Sequence, residues 1–276
     1  MNCPGIETSI RTAVFLSDVH LGLSIPGAEY REKALISFLR GIRTEASHLF
    51  LLGDIFDFWM EYRYAIRPDY FQILHELKLL VDAGVEVHHL SGNHDFAIGS
   101  FLSREIGLIL HDDPLELRLP GKRLWLSHGD RLVETGILSR TIRRILRSPI
   151  NQRLFRLLHP DMGIRLGQRV SRLSRSCVNN GIKPNEPETY RKAAAGILSK
   201  NFDVVVMGHT HYPEILRFGE KWYVNTGQWI YSYNYCLMRD NGLTLWEFSL
   251  SGESRQIPET TLFPSGLISS ASPFPA

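Results

Sequence analysis

Residues 12–20, TAVFLSDVH, run from an uninterrupted apolar segment into a pair of metal-type side chains. An apolar run of this length reads as a strand buried on both faces. Asp18 and His20 then stand just past its C-terminal end. Their i, i+2 spacing aims both side chains the same way wherever the extended conformation persists. The pattern recurs four times. His48–Leu52 leads into Gly53-Asp54, 85–90 into Gly92-Asn93-His94-Asp95, 123–127 into His128-Gly129-Asp130, and 203–207 into Gly208-His209-Thr210-His211.

Between the first three strands lie two segments of helical spacing. One is 29–46, apolar at Ala34, Leu35, Phe38, Leu39 and Ile42; the other is 70–83, closed by Gly84. This β-α-β-α-β alternation predicts parallel strands with right-handed crossovers. Loops at the C-terminal ends of such strands are where open α/β sheets place their sites. A short helix is expected near 100–106, and Leu115–Leu119 and 123–127 flank Pro120-Gly121 as a hairpin. Residues 134–200 read as a helical insertion, after which 203–207 resumes the sheet. Segments 215–218, 221–225, 233–238 and 244–248 read as an antiparallel run. The reading is therefore one α/β domain over 1–256, carrying the insertion, with a loosely ordered Pro- and Ser-rich tail at 257–276.

Aspartate and histidine together suit Mn²⁺, Fe²⁺, Co²⁺ or Zn²⁺ better than Ca²⁺ or Mg²⁺. Asp54 can bridge two ions through its two oxygens, and Asn93 offers a neutral carbonyl that limits negative charge. Two ions about 3.5–4 Å apart can share a water and stabilise both attacking and leaving oxygens of a phosphate ester or anhydride. By contrast His48, His75, His88, His89, His111 and His159 lack partners of matching spacing. His88 and His89 share a strand, which suggests one core histidine and one exposed.

The five segments, D-x-H, G-D, G-N-H-D, H and G-H-x-H, occur in the order found in the calcineurin-like metallophosphoesterase superfamily, which the chain resembles from about Thr12 to Phe248. The resemblance implies a four-layer α/β/β/α sandwich with a helical insertion acting as a lid. It implies one metal held by Asp18, His20, Asp54 and His211, and a second held by Asp54, Asn93, His128 and His209. His94 would donate a proton to the leaving oxygen or stabilise phosphoryl charge, and Asp95 would orient it. Within the superfamily the chain is similar to the UDP-2,3-diacylglucosamine diphosphatases of lipid A synthesis. The likeness lies in residues 17–21, SDVHL, 53–59, GDIFDFW, 92–96, GNHDF, 128–130, HGD, and 208–213, GHTHYP. Those enzymes use Mn²⁺ and hydrolyse a nucleotide-linked glycolipid at its α-phosphate, releasing UMP and the acylated sugar 1-phosphate. This chain has His94 where many of them have arginine, and its insertion lacks their Asn- and Ser-rich segment.

Composition narrows the partners. The 276 residues are 43% hydrophobic and carry a net charge of +2. No run approaches the roughly 18 apolar residues of a membrane span, and the first ten residues lack the features of a signal peptide. Cys3, Cys177 and Cys236 are scattered, which suits a reducing compartment and argues against a disulfide framework. Residues 131–200 hold 15 Lys and Arg against 4 Asp and Glu. There Arg165, Arg169 and Arg172 share one helical face beside Leu166, Val170 and Leu173, and Ile142, Ile145 and Leu146 repeat the pattern beside Arg140, Arg143, Arg144 and Arg147. Such stripes suit an anionic membrane surface. They equally suit a lid that buries acyl chains while arginines meet the pyrophosphate, or an ordinary amphipathic helix with its apolar side on the core. Aromatics are sparse in the block, only Phe155 and Tyr190, which disfavours nucleic acid. Trp59 and the three arginines are candidate substrate contacts. The expected location is the cytoplasm, on the inner face of the cytoplasmic membrane. A soluble nucleotide or phosphodiester is the alternative substrate, and a non-catalytic scaffold of the same fold the alternative role.

Overall fold

The computed structural model describes residues 12–95, 98–119, 121–132, 148–178, 186–240 and 242–261. The chain opens with β1 (Ala13–Leu16), α1 (Ala28–Ile42), β2 (His48–Leu52), α2 (Phe71–Asp82), β3 (Glu86–Leu90) and β4 (Ile109–His111). The hairpin β5 (Leu115–Leu119) and β6 (Lys122–Ser127) follows, then helices α3 (Pro149–Phe155), α4 (Pro160–Val178) and α5 (Glu186–Leu198). Strands β7 (Val204–Met207), β8 (Glu214–Phe218), β9 (Lys221–Asn225), β10 (Tyr233–Arg239), β11 (Gly242–Phe248), β12 (Ser254–Ile257) and β13 (Thr260–Thr261) complete it. One sheet has the order β12-β11-β10-β1-β2-β3-β4 and the other β13-β8-β9-β7-β6-β5. β1, β2 and β3 are parallel, as the alternation predicts, and β4, a strand the sequence reading did not expect, pairs parallel to β3.

The period of two along each strand builds four layers. In β1, Val14 and Leu16 face α1 and α2, while Ala13 and Phe15 face the second sheet. Phe50 and Leu52 of β2 meet Leu124, Leu126, Val204 and Val206 in the inter-sheet core, where Phe15 and Phe50 stack at 4.9 Å. On the far side of the second sheet, Val205, Met207 and Tyr223 pack on Tyr190, Ala194 and Leu198 of α5. The result is the α/β/β/α sandwich. The central strands β1, β2, β3, β6, β7 and β9 are buried on both faces along most of their length, which is why their sequences show continuous apolar runs rather than alternation.

Three expectations change. Segment 203–207 does not resume the sheet of β1; β7 lies in the second sheet, parallel to β6 and β9. Its run VVVM is apolar on both faces and fits either sheet. The antiparallel run is two hairpins in different sheets, β8 with β9 and β10 with β11. Between them buried Trp229 donates its backbone N–H to Asp18 O at 3.0 Å. Strand pairing continues past Ile257, because Thr260–Thr261 joins β8. Residues 262–276 lie outside the described part, as do 133–147 with their basic and apolar stripes.

α4 does not sit as an ordinary amphipathic helix. Its buried side is Gly163, Gly167 and Ser171, at i, i+4, i+8. The rings of Tyr62 and Phe58 fill the places where larger side chains would go: a Cβ on Gly167 would stand 2.5 Å from Phe58 Cε1. Leu166 and Val170, on the flank, are left 44% and 37% exposed, and Met162, Leu157, Leu154 and Ile150 are exposed as well. No described helix is long and apolar enough to cross a membrane.

Candidate metal centre

All seven candidate ligands follow the C-terminal ends of strands, three strands from one sheet and two from the other. Asp18 and His20 follow β1, Asp54 follows β2, Asn93 follows β3, His128 follows β6, and His209 and His211 follow β7. The two sheets therefore bring their carboxyl ends to one spot. The approach is close: a Cβ on Gly53 would stand 2.8 Å from both Gly92 Cα and His128 Nδ1. Gly53 also has φ +84°, so only glycine suits it. Asp18, His20, Asp54, His209 and His211 themselves have φ between 49° and 69°. Left-handed backbone costs about 1–3 kcal/mol per non-glycine residue and collects at functional sites. Five of the seven candidates share it, so the loops are bent to aim side chains, not to relax.

The ligand-type atoms converge. Asp54 Oδ2 lies 3.4 Å from His128 Nε2, 3.8 Å from His20 Nε2 and 3.9 Å from His94 Nε2. Asp18 Oδ1 lies 3.1 Å from His211 Nε2 and 3.9 Å from His20 Nε2. His128 Nε2 is 3.1 Å from Asn93 Oδ1 and 3.3 Å from His209 Nδ1. Asp18, His20 and His211 form one compact set, and Asp18, Asp54 and His128 another.

The tautomer of His128 follows from its surroundings. Its Nδ1 donates to Leu52 O at 2.9 Å, so Nε2 is the nitrogen that faces Asp54 and would bind a metal once its proton is displaced. This is the ordinary arrangement of a metal-ligating histidine. Both ring nitrogens of His20 are buried without a hydrogen-bond partner. Burial pushes His20 down to about 3 and His209 to about 4, so both are neutral donors of a lone pair. Against the cost of burial, His211 and His128 hold Asp18 below the usual carboxylate range, and His128 and His94 do the same for Asp54. Two ionised carboxylates, two neutral imidazoles and two more whose protons an ion can displace fit a divalent cation in a buried site, and the mixed N/O donor set fits the transition metals.

The hydrogen bonds around these groups hold the loops. Asp18 Oδ2 accepts from His209 N at 2.9 Å, and Asp54 Oδ1 from His94 N at 2.9 Å. Asp95 does not orient His94. It accepts from Gly92 N (2.7 Å), Asp54 N (3.2 Å) and Ile55 N (2.9 Å), and lies 3.3 Å from His89 Nε2. A buried carboxylate that gathers three backbone N–H groups fixes the second and third ligand loops together. His88 and His89 are both buried, so neither is the exposed member expected on that strand.

His94 is oriented by residues the sequence did not single out. Its Nδ1 lies 3.0 Å from Ser171 Oγ and 3.2 Å from Asp57 O, and Ser171 Oγ donates to Asp57 Oδ1 at 3.0 Å. Ser171 therefore accepts from His94 Nδ1–H, and Nε2 is the nitrogen left toward Asp54. Asp57 stands three residues after Asp54, inside the GDIFDFW stretch, where no role was read for it. Ser171 had no signal except the small-residue spacing of Gly163 and Gly167.

The expected substrate contacts divide. Trp59 is core: it is buried, packs on Phe56 at 4.3 Å, and donates Nε1–H to Glu61 Oε1 at 3.4 Å. Its neighbours in the outer helix layer leave no face for a ligand. Arg165 and Arg169 are exposed on α4, opposite its Gly163–Gly167–Ser171 side. The side chain of Arg172 lies outside the described residues.

A model of the calcineurin-like phosphoesterase family matches residues 12–213. A UDP-2,3-diacylglucosamine hydrolase of Porphyromonas gingivalis is 34% identical over 165 residues, 58% of this chain and 62% of that protein, so the chain spans less than two thirds of that relative. One of Pseudomonas savastanoi pv. phaseolicola is 32% identical over 214 residues, 75% of this chain and 83% of that protein. Among solved structures the chain is similar to Vps29 of Entamoeba histolytica complexed with Zn²⁺, at 15% identity, with 89% of this chain and 97% of that chain covered and a TM-score of 0.46.

Proposed function

The chain belongs to the calcineurin-like phosphoesterase family, and from that premise we propose that it hydrolyses the pyrophosphate of UDP-2,3-diacylglucosamine. It is a metal-dependent hydrolase. The finer reading assigns Asp18, His20, Asp54 and His211 to one ion and Asp54, Asn93, His128 and His209 to the other, with Mn²⁺ as the preferred metal. When bound, two such ions supply Lewis acidity and a water nucleophile active at neutral pH. Water oxygen adds to the α-phosphorus, the bond to the bridging oxygen breaks, and UMP and the acylated sugar 1-phosphate leave.

The chain's own residues do the remainder. Protonated at both ring nitrogens, His94 would donate Nε2–H to the phosphoryl oxygens while Ser171 and Asp57 hold Nδ1–H. A phosphate leaving group has a second pKa of about 6. Such a group needs little help from a proton, so His94 acts mainly by stabilising phosphoryl charge.

One observation carries the substrate assignment. The helix that holds His94 through Ser171 also shows Met162, Leu166 and Val170 to solvent, next to the exposed Leu154 and Leu157. A purely nucleotide substrate gives such an apolar face nothing to meet. A diacylated one does, and so does the membrane that holds it, with the adjoining arginines facing anionic headgroups. On this reading α3 and α4 form the lid, and the protein works on the inner face of the cytoplasmic membrane.

The test is a product assay with Mn²⁺-loaded protein. UDP-2,3-diacylglucosamine is compared with diadenosine tetraphosphate, a cyclic nucleotide and a phosphodiester dye. UMP release confined to the lipid supports the proposal. Turnover of a soluble substrate, with none of the lipid, overturns the substrate and leaves the hydrolase.

A further inference from the structure

A second set of ligand-type side chains lies at the opposite end of the first sheet. His48 opens β2 and Glu86 opens β3 directly beside it, whereas Asp54 and Asn93 follow the other ends of those strands. His88, two residues after Glu86, shares the same sheet face. His48 Nε2 is 3.9 Å and His88 Nε2 3.6 Å from Glu86 Oε2. One ligand-type atom from each of the three residues lies within 4.8 Å of the other two.

Hydrogen bonding decides which ring nitrogen is free. Ser47 Oγ donates to Thr12 O at 3.1 Å, so toward His48 Nδ1, 3.0 Å away, it accepts. His48 is therefore protonated at Nδ1, and its Nε2 carries the lone pair. His88 Nδ1 lies 2.9 Å from His111 Nε2. His88 is only 8% exposed, and its Nε2 is buried without a hydrogen-bond partner. Donation from His88 Nδ1–H to His111 is the arrangement that strands no buried N–H. Two imidazole lone pairs then face one carboxylate, and 3.6 Å or 3.9 Å is too long for a hydrogen bond. Burial, which pushes His88 down to about 4 and lowers His48, keeps both rings neutral.

We propose that His48, Glu86 and His88 bind a third divalent cation, of zinc type, remote from the candidate metal centre. Ligands about 2.0–2.1 Å from a tetrahedral zinc stand roughly 3.3 Å from one another. The two imidazole–carboxylate separations, 3.6 Å and 3.9 Å, approach that value; the two rings, centroids 5.8 Å apart and within 7° of parallel, must turn about their side-chain torsions to close on one ion. His111 is the outer partner that turns His88 toward the ion. The fourth position faces solvent, since Glu86 is exposed. The ion joins the first turns of β2 and β3 and, through His111, the edge strand β4. It is a structural staple and takes no part in hydrolysis.

The test is the number of Zn²⁺ ions bound by the full chain after equilibrium dialysis. Wild type is expected to bind three and Glu86→Ala two, with Mn²⁺-supported hydrolysis unchanged. Glu86 is exposed, so its removal leaves the core intact. Conversely Asp54→Asn, which disables the candidate centre, is expected to keep the remote ion. His111→Ala should weaken that ion about 10- to 100-fold. With Co²⁺, the visible bands of a tetrahedral ion should appear in wild type and vanish in Glu86→Ala. Equal Zn²⁺ counts for wild type and Glu86→Ala overturn the proposal, whatever happens at the candidate centre.

Discussion

Replacing Gly167 with alanine is expected to slow turnover without emptying the metal centre. The added Cβ would lie 2.5 Å from Phe58 Cε1 and Cε2, at least about 1 Å inside the ordinary carbon–carbon contact of 3.5–4.0 Å. Phe58 is buried and flanked by Phe155, ring centroids 5.8 Å apart, so it has little room to yield. α4 must lift by about that 1 Å. The Ser171 bonds to His94 and Asp57, both 3.0 Å, then pass out of reach. Stability changes little, because overpacking costs about 1–3 kcal/mol while alanine returns about 1 kcal/mol of helix propensity. Rate is more sensitive, since a 1 Å misplacement is worth on the order of 10²-fold. The assay is kcat, KM and bound Mn²⁺ on one preparation: kcat should fall about 100-fold with both ions retained. Wild-type kcat in Gly167→Ala would refute the idea that α4 sets the position of His94.

His94→Ala should retain both ions and lose about 10²–10⁴-fold in kcat; intact turnover would remove His94 from the mechanism. Metal uptake should tighten as pH rises above 6.5. Although burial opposes it, Asp54 and Asp18 raise His128, and Asp18 raises His211, above the ordinary 6.5. Each proton competes with the ion below the raised pKa and ceases to compete above it. Calorimetry in buffers of different ionisation enthalpy should therefore record net proton release on Mn²⁺ binding at neutral pH, and its absence would contradict the assignment. Leu166→Glu and Val170→Glu should each raise KM for the diacylated substrate about 10-fold or more, from the 1.5–3 kcal/mol of burying such a side chain. Turnover of a short water-soluble phosphodiester should not change, and an equal loss there would point to a damaged site instead.

The ligand loops were legible because each follows an apolar run at the only place a doubly covered strand can present polar groups. What stayed hidden depends on tertiary contact. Nothing local tells VVVM at 204–207 which of two sheets to join. Ser171 is one serine in a polar helix until Phe58 and Tyr62 select the glycine side of α4 as its seat. The same selection turns Leu166 and Val170 outward, where helical periodicity alone puts apolar residues inward. Asp95 was legible as part of the site, but its partners are backbone amides, which carry no sequence signal. Trp59 follows the ligand loop in sequence and fitted either a core or a pocket-wall place; packing against Tyr70 and Phe101 makes it core.

The most direct measurement is anomalous diffraction from crystals grown with Mn²⁺. Two peaks are expected about 3.5–4 Å apart, with the Asp54 carboxylate between them. Asp18, His20 and His211 should surround one, and Asn93, His128 and His209 the other. A single peak, or ions seated away from Asp54, would contradict the account.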